Sequence, residues 1–328
     1  MKRKVFVTGR IAAGIAISVG LGWLTARGLD WGLVFESFGD VSLTMLALAV
    51  ATFMFASYLR AVRWRALFVN GEVSTNRLFM VQNVGIGLNN LVPIRIASEA
   101  VQLAILSIKD RVRPSVALAT LGMERVLDVV ASALILAIAF LFIPEMEGYG
   151  IYVWGALAFA VLCIAIVRLL AWSGNGISWI RRLPFLLSFA KAVRDLERER
   201  VRLAVSFALS VIYWLLVGVT AWIISISFQL SITPVTATMV IMATIFFATA
   251  VPAAPSAIGT FEFAVVYMLG LFAVSHESAF GFAVITHAVF FLPPTLMAVL
   301  FLPREGIGSI SQLKSTLSGR VEASTDTA

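Results

Sequence analysis

Charge is what this sequence is shortest of. Only 13% of its 328 residues are Asp, Glu, Lys or Arg, against 60% hydrophobic, and the mean hydropathy is +0.96. Soluble domains run to about a quarter charged, so this composition excludes a water-soluble globular protein. The single cysteine, Cys163, excludes an intramolecular disulfide framework; inside an apolar run it reads as a small lipid- or core-facing residue. Two histidines, His276 and His287, are too few for a histidine-rich metal site. His287 sits in an apolar helix and reads as a satisfied core histidine rather than a proton relay. No Gly-rich phosphate loop of the Walker type occurs, which argues against ATP drive within this chain. No aspartate cluster suits two metal ions, and KDRVRP (109–114) has no Ser-Gly-His companion. The expectation is a non-enzyme without metal or cofactor. Alternating strands of about ten residues are missing too, which excludes an outer-membrane barrel.

Long apolar runs are what is there. Stretches 8–26, 42–59, 115–142, 150–170, 203–227 and 280–302 approach the ~20 apolar residues of a spanning helix. The expected fold is therefore an all-α polytopic membrane protein with about six spanning helices. The start, MKRKVFVTGR, reads as part of a retained first helix rather than a signal peptide, because Arg10 divides the run and further spans follow. Two regions, 78–108 and 235–274, do not read as single spans. All but Arg27, Arg95 and Arg125 of the 25 lysines and arginines fall in segments that can share one side of the membrane. Under the positive-inside rule that side is the cytoplasm, and both termini lie there. The same rule accounts for the net charge of +7 without any nucleic-acid partner. The opposite loops, including GLDWGLVFESFGDVS, carry Asp30, Glu36, Asp40, Glu145, Glu147 and Glu277.

This bias holds only if each odd region returns to the side it left. Limbs 78–92 and 96–108 reach about 22 and 20 Å at ~1.5 Å per residue, short of a ~30 Å core, so a re-entrant hairpin fits. For 235–251 and 257–274 a hairpin or two tilted spans satisfies the count. The order helix, helix, hairpin, helix then occurs twice with opposite orientation, over 1–142 and 143–304. That is an inverted repeat with a cytoplasmic-side and an outer-side hairpin, followed by a Ser/Thr-rich tail, 305–328, expected to be disordered. LVPIRIASEA (91–100) and AVPAAPSAIGTFEF (250–263) each place a proline ahead of a glutamate. Pro93, Pro252, Pro255 and Gly259 would turn the hairpin tips, where irregular backbone is tolerated if it lines a cavity. Glu99 and Glu262 fall in the first turn of the second limbs, where a carboxylate either caps the helix or stands beside a ligand.

Arg95 at the first tip suits a phosphate, or pairs with Glu99 one turn on. In MERVLDVV (123–130), read as opening the third full helix, Glu124 and Asp128 share a face with Arg125 about 100° round. That triplet is expected to tie helices together, or to help floor a cavity with Arg95. SYLRAVRWRALF (57–68) reads as snorkelling arginines beside an aromatic belt. LPFLLSFAKAVRDLERERVR (183–202) spaces Leu186, Phe189, Val193 and Leu196 as an interfacial helix on anionic lipid, or as a solvated face laced with salt bridges.

RAVRWRALF, NVGIGLNNLVPIRIASEAVQLAIL, MERVLDVV and VPAAPSAIGTFEF, in that order, resemble the transmembrane region of lysylphosphatidylglycerol synthases, over about residues 5–303. The resemblance implies inverted halves with re-entrant helices around a central cavity, and a flippase-like activity on lipid. It carries Arg63, Trp64, Asn90, Pro93, Arg95, Glu99, Glu124, Arg125, Asp128, Pro252, Pro255, Gly259 and Glu262. Among these, Arg95, Glu99, Arg125, Glu262, Asn90 and Arg63 would meet substrate, while Glu124 and Asp128 form an ion-pair network. Ala97-Ser98 departs from the glycine that the family often places before the glutamate. No aminoacyltransferase domain is read here, so lysyl transfer is not expected. The expected function is movement of a phosphate-bearing lipid, phospholipid or polyprenyl phosphate, between leaflets of the cytoplasmic membrane. Two other readings share the topology: a secondary transporter of a small anionic solute, and a scaffold for a separate lipid-modifying or glycosyltransferase enzyme. The expected partners are anionic membrane lipids and that separate enzyme.

Overall fold

The computed structural model describes residues 2–39, 41–69, 73–91, 97–142, 148, 150–176, 184–251 and 253–305, and every regular element among them is helical. In chain order these are α1 (Lys2–Ala26), α2 (Trp31–Gly39), α3 (Leu43–Ala66), α4 (Thr75–Leu91), α5 (Ala97–Ile108) and α6 (Pro114–Phe142). They continue with α7 (Gly150–Gly176), α8 (Pro184–Arg198), α9 (Arg200–Ser227), α10 (Pro234–Ala250), α11 (Thr260–Gly270) and α12 (His276–Phe301). Five helices, α3, α6, α7, α9 and α12, are each long and apolar enough to cross a membrane; α1 and α2 make a sixth if that pair, bent by 86°, is one span.

Helix α2 lies where the sequence reads as an outer loop, and the loop reading is corrected. Asp30 starts it, accepting from Gly32 N–H at 2.8 Å and Leu33 N–H at 3.4 Å, the role of an N-cap. Val34 is then buried, and Trp31 meets Phe280 of α12 edge to face at 5.9 Å. Other starts obey the same chemistry: Ser42, Thr233 and Ser275 cap α3, α10 and α12, with Pro234 in the first turn of α10.

Two regions are built from short helices folded back on each other. α4 and α5 have 17 and 12 residues, about 25 and 18 Å at ~1.5 Å per residue, and α5 packs on α4. α10 and α11 have 17 and 11 residues and also pack together. Between them a 3-10 turn, Pro255–Ala257, carries Ser256 and Ala257 at φ 58° and precedes Gly259 at φ 80°. Such backbone ends one helix and re-aims the next.

The most extensive helix contact is α3 against α9, followed by α4 against α12. Gly87 permits the second: a Cβ there would lie 2.0 Å from the carbonyl oxygen of Pro294. α8 lays Ala190, Val193 and Leu196 against the protein, packing on α6 and α7. Of the expected stripe, Val193 and Leu196 thus face neighbouring helices, while Leu186 and Phe189 are half-buried. Arg77, near the start of α4, holds Asp110 at 2.9 Å and Glu305 at 2.5 Å. Glu305 is thus a fixed point rather than the first residue of a loose tail; residues 306–328 lie outside the described residues. The bond from Arg77 holds the Glu305 carboxyl below the usual carboxylate range.

Candidate functional site

Three polar constellations interrupt the apolar helices. The first joins α3, α6 and α9. Arg60 and Arg63 are three residues apart on α3, and Glu124 and Asp128 four apart on α6, so each pair shares a face. Arg60 Nε donates to Glu124 Oε1 at 2.8 Å, and Arg63 donates to Glu124 at 2.5 Å and to Asp128. Arg63 also reaches Ser210 Oγ at 3.0 Å, and both guanidinium groups lie over the Tyr213 ring, at 5.5 and 5.9 Å. Two positive and two negative charges close on one another, and Arg63 is 0% exposed. The snorkelling reading of Arg60 and Arg63 is corrected: α3 runs past 59 to Ala66 and buries both. Glu124 likewise lies about 15 Å along α6 at ~1.5 Å per residue, not at its opening. Trp64 beside them donates to Thr120 Oγ1 at 3.3 Å.

The second constellation is Arg125 with Glu99. Glu99 is the third residue of α5 and Arg125 the twelfth of α6. Arg125 Nη2 donates to Glu99 Oε1 at 2.7 Å, and the two side chains are 51% and 36% exposed. Turned about 100° away from Glu124, Arg125 belongs to the open side of α6. Arg95 and Pro93 lie outside the described residues, as does Pro252.

The third forms at the other helix break. Glu262 is the third residue of α11 and His287 the twelfth of α12. Glu262 Oε2 accepts from Gly259 N–H at 2.6 Å, the glutamate half of a capping box, since the glycine has no side chain to return the bond, while Oε1 lies 2.5 Å from His287 Nδ1. His287 is satisfied, as the sequence suggests, but by a carboxylate. α1 closes this tip. Ser18 Oγ accepts from Ala254 N–H at 2.7 Å and lies 3.1 Å from Thr260 Oγ1, while Gly14 and Gly22 let Ala253 and Gly259 approach. Asn90, at the end of α4, ties that helix to α12 and to the second break: its side-chain amide donates to Thr295 Oγ1 at 3.0 Å and to Phe291 O at 3.3 Å, and its backbone carbonyl accepts from Ser256 Oγ at 2.8 Å. Pro255 starts the turn that carries Ser256.

A family model described as the lysylphosphatidylglycerol synthase TM region matches residues 11–298. The chain belongs to this family. The chain is also similar to a UPF0104 membrane protein of Methanocaldococcus jannaschii, 26% identical over 221 residues, which covers 65% of this chain and 92% of the relative. The lysylphosphatidylglycerol synthase TM-region family is thus shown, and with it a multi-pass membrane protein.

Within this family frame, sequence reasoning missed Arg60 and the acid–base pairing of Glu262. One signal was available. The pairs Glu99–Arg125 and Glu262–His287 are 26 and 25 residues apart, with each acid in the first turn after a proline-containing break. Among the described residues no cluster of three or more His, Cys, Asp or Glu can hold a metal.

Proposed function

We propose that this protein moves a phosphate-bearing lipid between the leaflets of a cytoplasmic membrane, with the headgroup engaging Arg125 in exchange for Glu99. The observation that carries this reading is the exposed Arg125–Glu99 pair, about 16 Å into an apolar helix at ~1.5 Å per residue. A charge at that depth is costly unless it meets water, protein or a ligand. The buried quartet is neutral and closed, whereas Arg125 is bonded, among the described residues, to Glu99 and keeps free surface. A phosphate can replace a carboxylate on guanidinium with similar geometry, and the acyl or prenyl tails would stay in lipid. Arg95, four residues before Glu99 in the sequence, lies outside the described residues and is proposed as a second contact to the headgroup.

The proposal takes the chain as an inverted repeat with both termini cytoplasmic and α4–α5 and α10–α11 re-entrant. Support comes from the packing. Exchanging α3 with α9, α4 with α10, α5 with α11 and α6 with α12 maps their contacts onto one another: α4 on α12 becomes α10 on α6, and α5 on α6 becomes α11 on α12. Opposed halves of this kind are how many transporters alternate access.

The test is reconstitution in liposomes, following leaflet exchange of fluorescent phosphatidylglycerol. Arg125→Ala is expected to fall at least about tenfold, the weight of one charge-assisted contact. Folding should survive, because an exposed pair contributes only about 0–1 kcal/mol. Exchange at the native rate in Arg125→Ala would sink the headgroup role. Uptake of a soluble anion without lipid exchange would favour the solute-transporter reading.

A further inference from the structure

We propose that Glu262 and His287 form a proton-binding site, the second half's counterpart of Glu99–Arg125, through which the lipid step is coupled to proton movement. This rests on the transport reading above. The two pairs occupy the same register, from the third residue of the hairpin's second helix to the twelfth residue of the helix that follows. They differ in chemistry. Arginine keeps its proton at any physiological pH. Histidine is the side chain whose charge changes between about pH 5 and 8.

One proton lies between Glu262 Oε1 and His287 Nδ1, which are 2.5 Å apart. With Nε2 bare the pair carries one negative charge; a hydronium ion reaching Nε2 breaks one O–H bond as the N–H bond forms, leaves as water and brings the pair to zero. The reverse transfer to water breaks the N–H bond and restores the hydronium ion. In this conformation the side chains of His287 and Glu262 are 9% and 12% exposed, against 51% and 36% for Arg125 and Glu99. One half holds its pair open while the other holds its pair shut. Phe261 and Phe291 flank the imidazole, with centroids at 4.7 and 4.1 Å. An inverted repeat that exchanges the two arrangements would open the second pair and let its proton equilibrate.

Few other charges act on the pair. The described side chains of α1 that can face α11 (12–26) carry no titratable group, nor does α10. On α11 itself Tyr267 points outward, stacked on Phe263. On α12 His276 and Glu277 lie at the far start, about 15 Å away along the helix at ~1.5 Å per residue. Of the elements packed on α12, α3 brings Arg60 and Arg63, both closed on α6, with Tyr58 bonded to Asn76 and Arg65 in the last turn; α9 brings Tyr213 under those guanidinium groups, with Arg200 and Arg202 in its first turn. α4 brings Arg77, held by Asp110 and Glu305; α2 brings Glu36, and the turn after α12 brings Arg304 and Glu305. None of these is bonded to Glu262 or His287. The carboxylate also ties Gly259, the turning point of the break, to α12, so a change in its charge acts on the hinge itself.

The test uses the full chain and has two readouts. With only two histidines in the sequence, 15N-histidine labelling in a His276→Gln background isolates the His287 ring. The ring resonances are expected to respond to bulk pH, and to respond differently in Glu262→Gln, whose amide oxygen can still accept from Gly259 N–H. In liposomes a gradient of one pH unit should skew the leaflet distribution of fluorescent phosphatidylglycerol by up to about tenfold for one proton per lipid. In Glu262→Gln and His287→Gln the skew should vanish. A ring that keeps one protonation state from about pH 5 to 9 would overturn the proton site. Exchange by the native protein without any skew would overturn the coupling. A titrating ring in a protein that moves no lipid would keep the proton site and remove the lipid reading.

Discussion

Gly259 combines two constraints that only glycine meets. Its φ is +80°, and a Cβ would lie 2.3 Å from the carbonyl oxygen of Ser18. Gly259→Ala is expected to cost about 1–3 kcal/mol in backbone strain alone, with the clash against α1 added. Thermal melting in detergent checks this, with Gly270→Ala as the control: nothing lies within 4 Å of a Cβ there, and the substitution should stabilise by up to about 1 kcal/mol. The buried quartet supplies a second residue-scale prediction. Asp128→Ala leaves Arg63 short of a counter-charge and should cost about 3–5 kcal/mol. Arg63→Met with Asp128→Leu leaves the neutral Arg60–Glu124 pair and should cost much less than the two singles together. Equal, additive losses would show that the four groups do not act as a unit.

At the scale of elements, α4 is fastened at both ends. Asn90 holds its last turn to α12, and Arg77 holds its first turn to Asp110 and Glu305. Glu305 has its carboxyl held below the ordinary value of about 4.3 by the Arg77 bond. Its contribution is therefore full above that ordinary value and is lost as pH falls through the lower, folded value. Because both groups are partly exposed, the contribution is about 1 kcal/mol or less. Glu305→Gln should melt below the native protein at neutral pH and converge with it at acid pH. A gap that persists at acid pH would mean that Glu305 acts by packing rather than charge. The short helix α2 makes the complementary point. Asp30 accepts the first N–H groups of α2, but a nine-residue helix draws most of its stability from what it lies on, and nothing in the local sequence shows α12 beneath it.

For the whole molecule, the apolar helices were legible because hydropathy and length report directly on a bilayer, and the four ordered motifs were enough to identify the family. The proposed halves carry functional weight through their differences. Arg125 is open and permanently charged, His287 closed and titratable, and the transport prediction above depends on both. The pairing was not legible. Arg60, beside Arg63 and Arg65 at the end of an apolar run, reads as a snorkelling residue, and only the length of α3 and the face of α6 turned towards it reveal a buried clamp. The same holds for His287, whose partner is 25 residues away in sequence.

The sequence by itself determined the solvent, the long apolar helices and the positions where they must break, because these follow from composition, run length and proline or glycine placement. Tertiary structure alone decided which charges neutralise each other and which stay open. A buried charge is tolerated only when its counter-charge arrives from another helix, and that meeting is a property of packing rather than of any local stretch of chain.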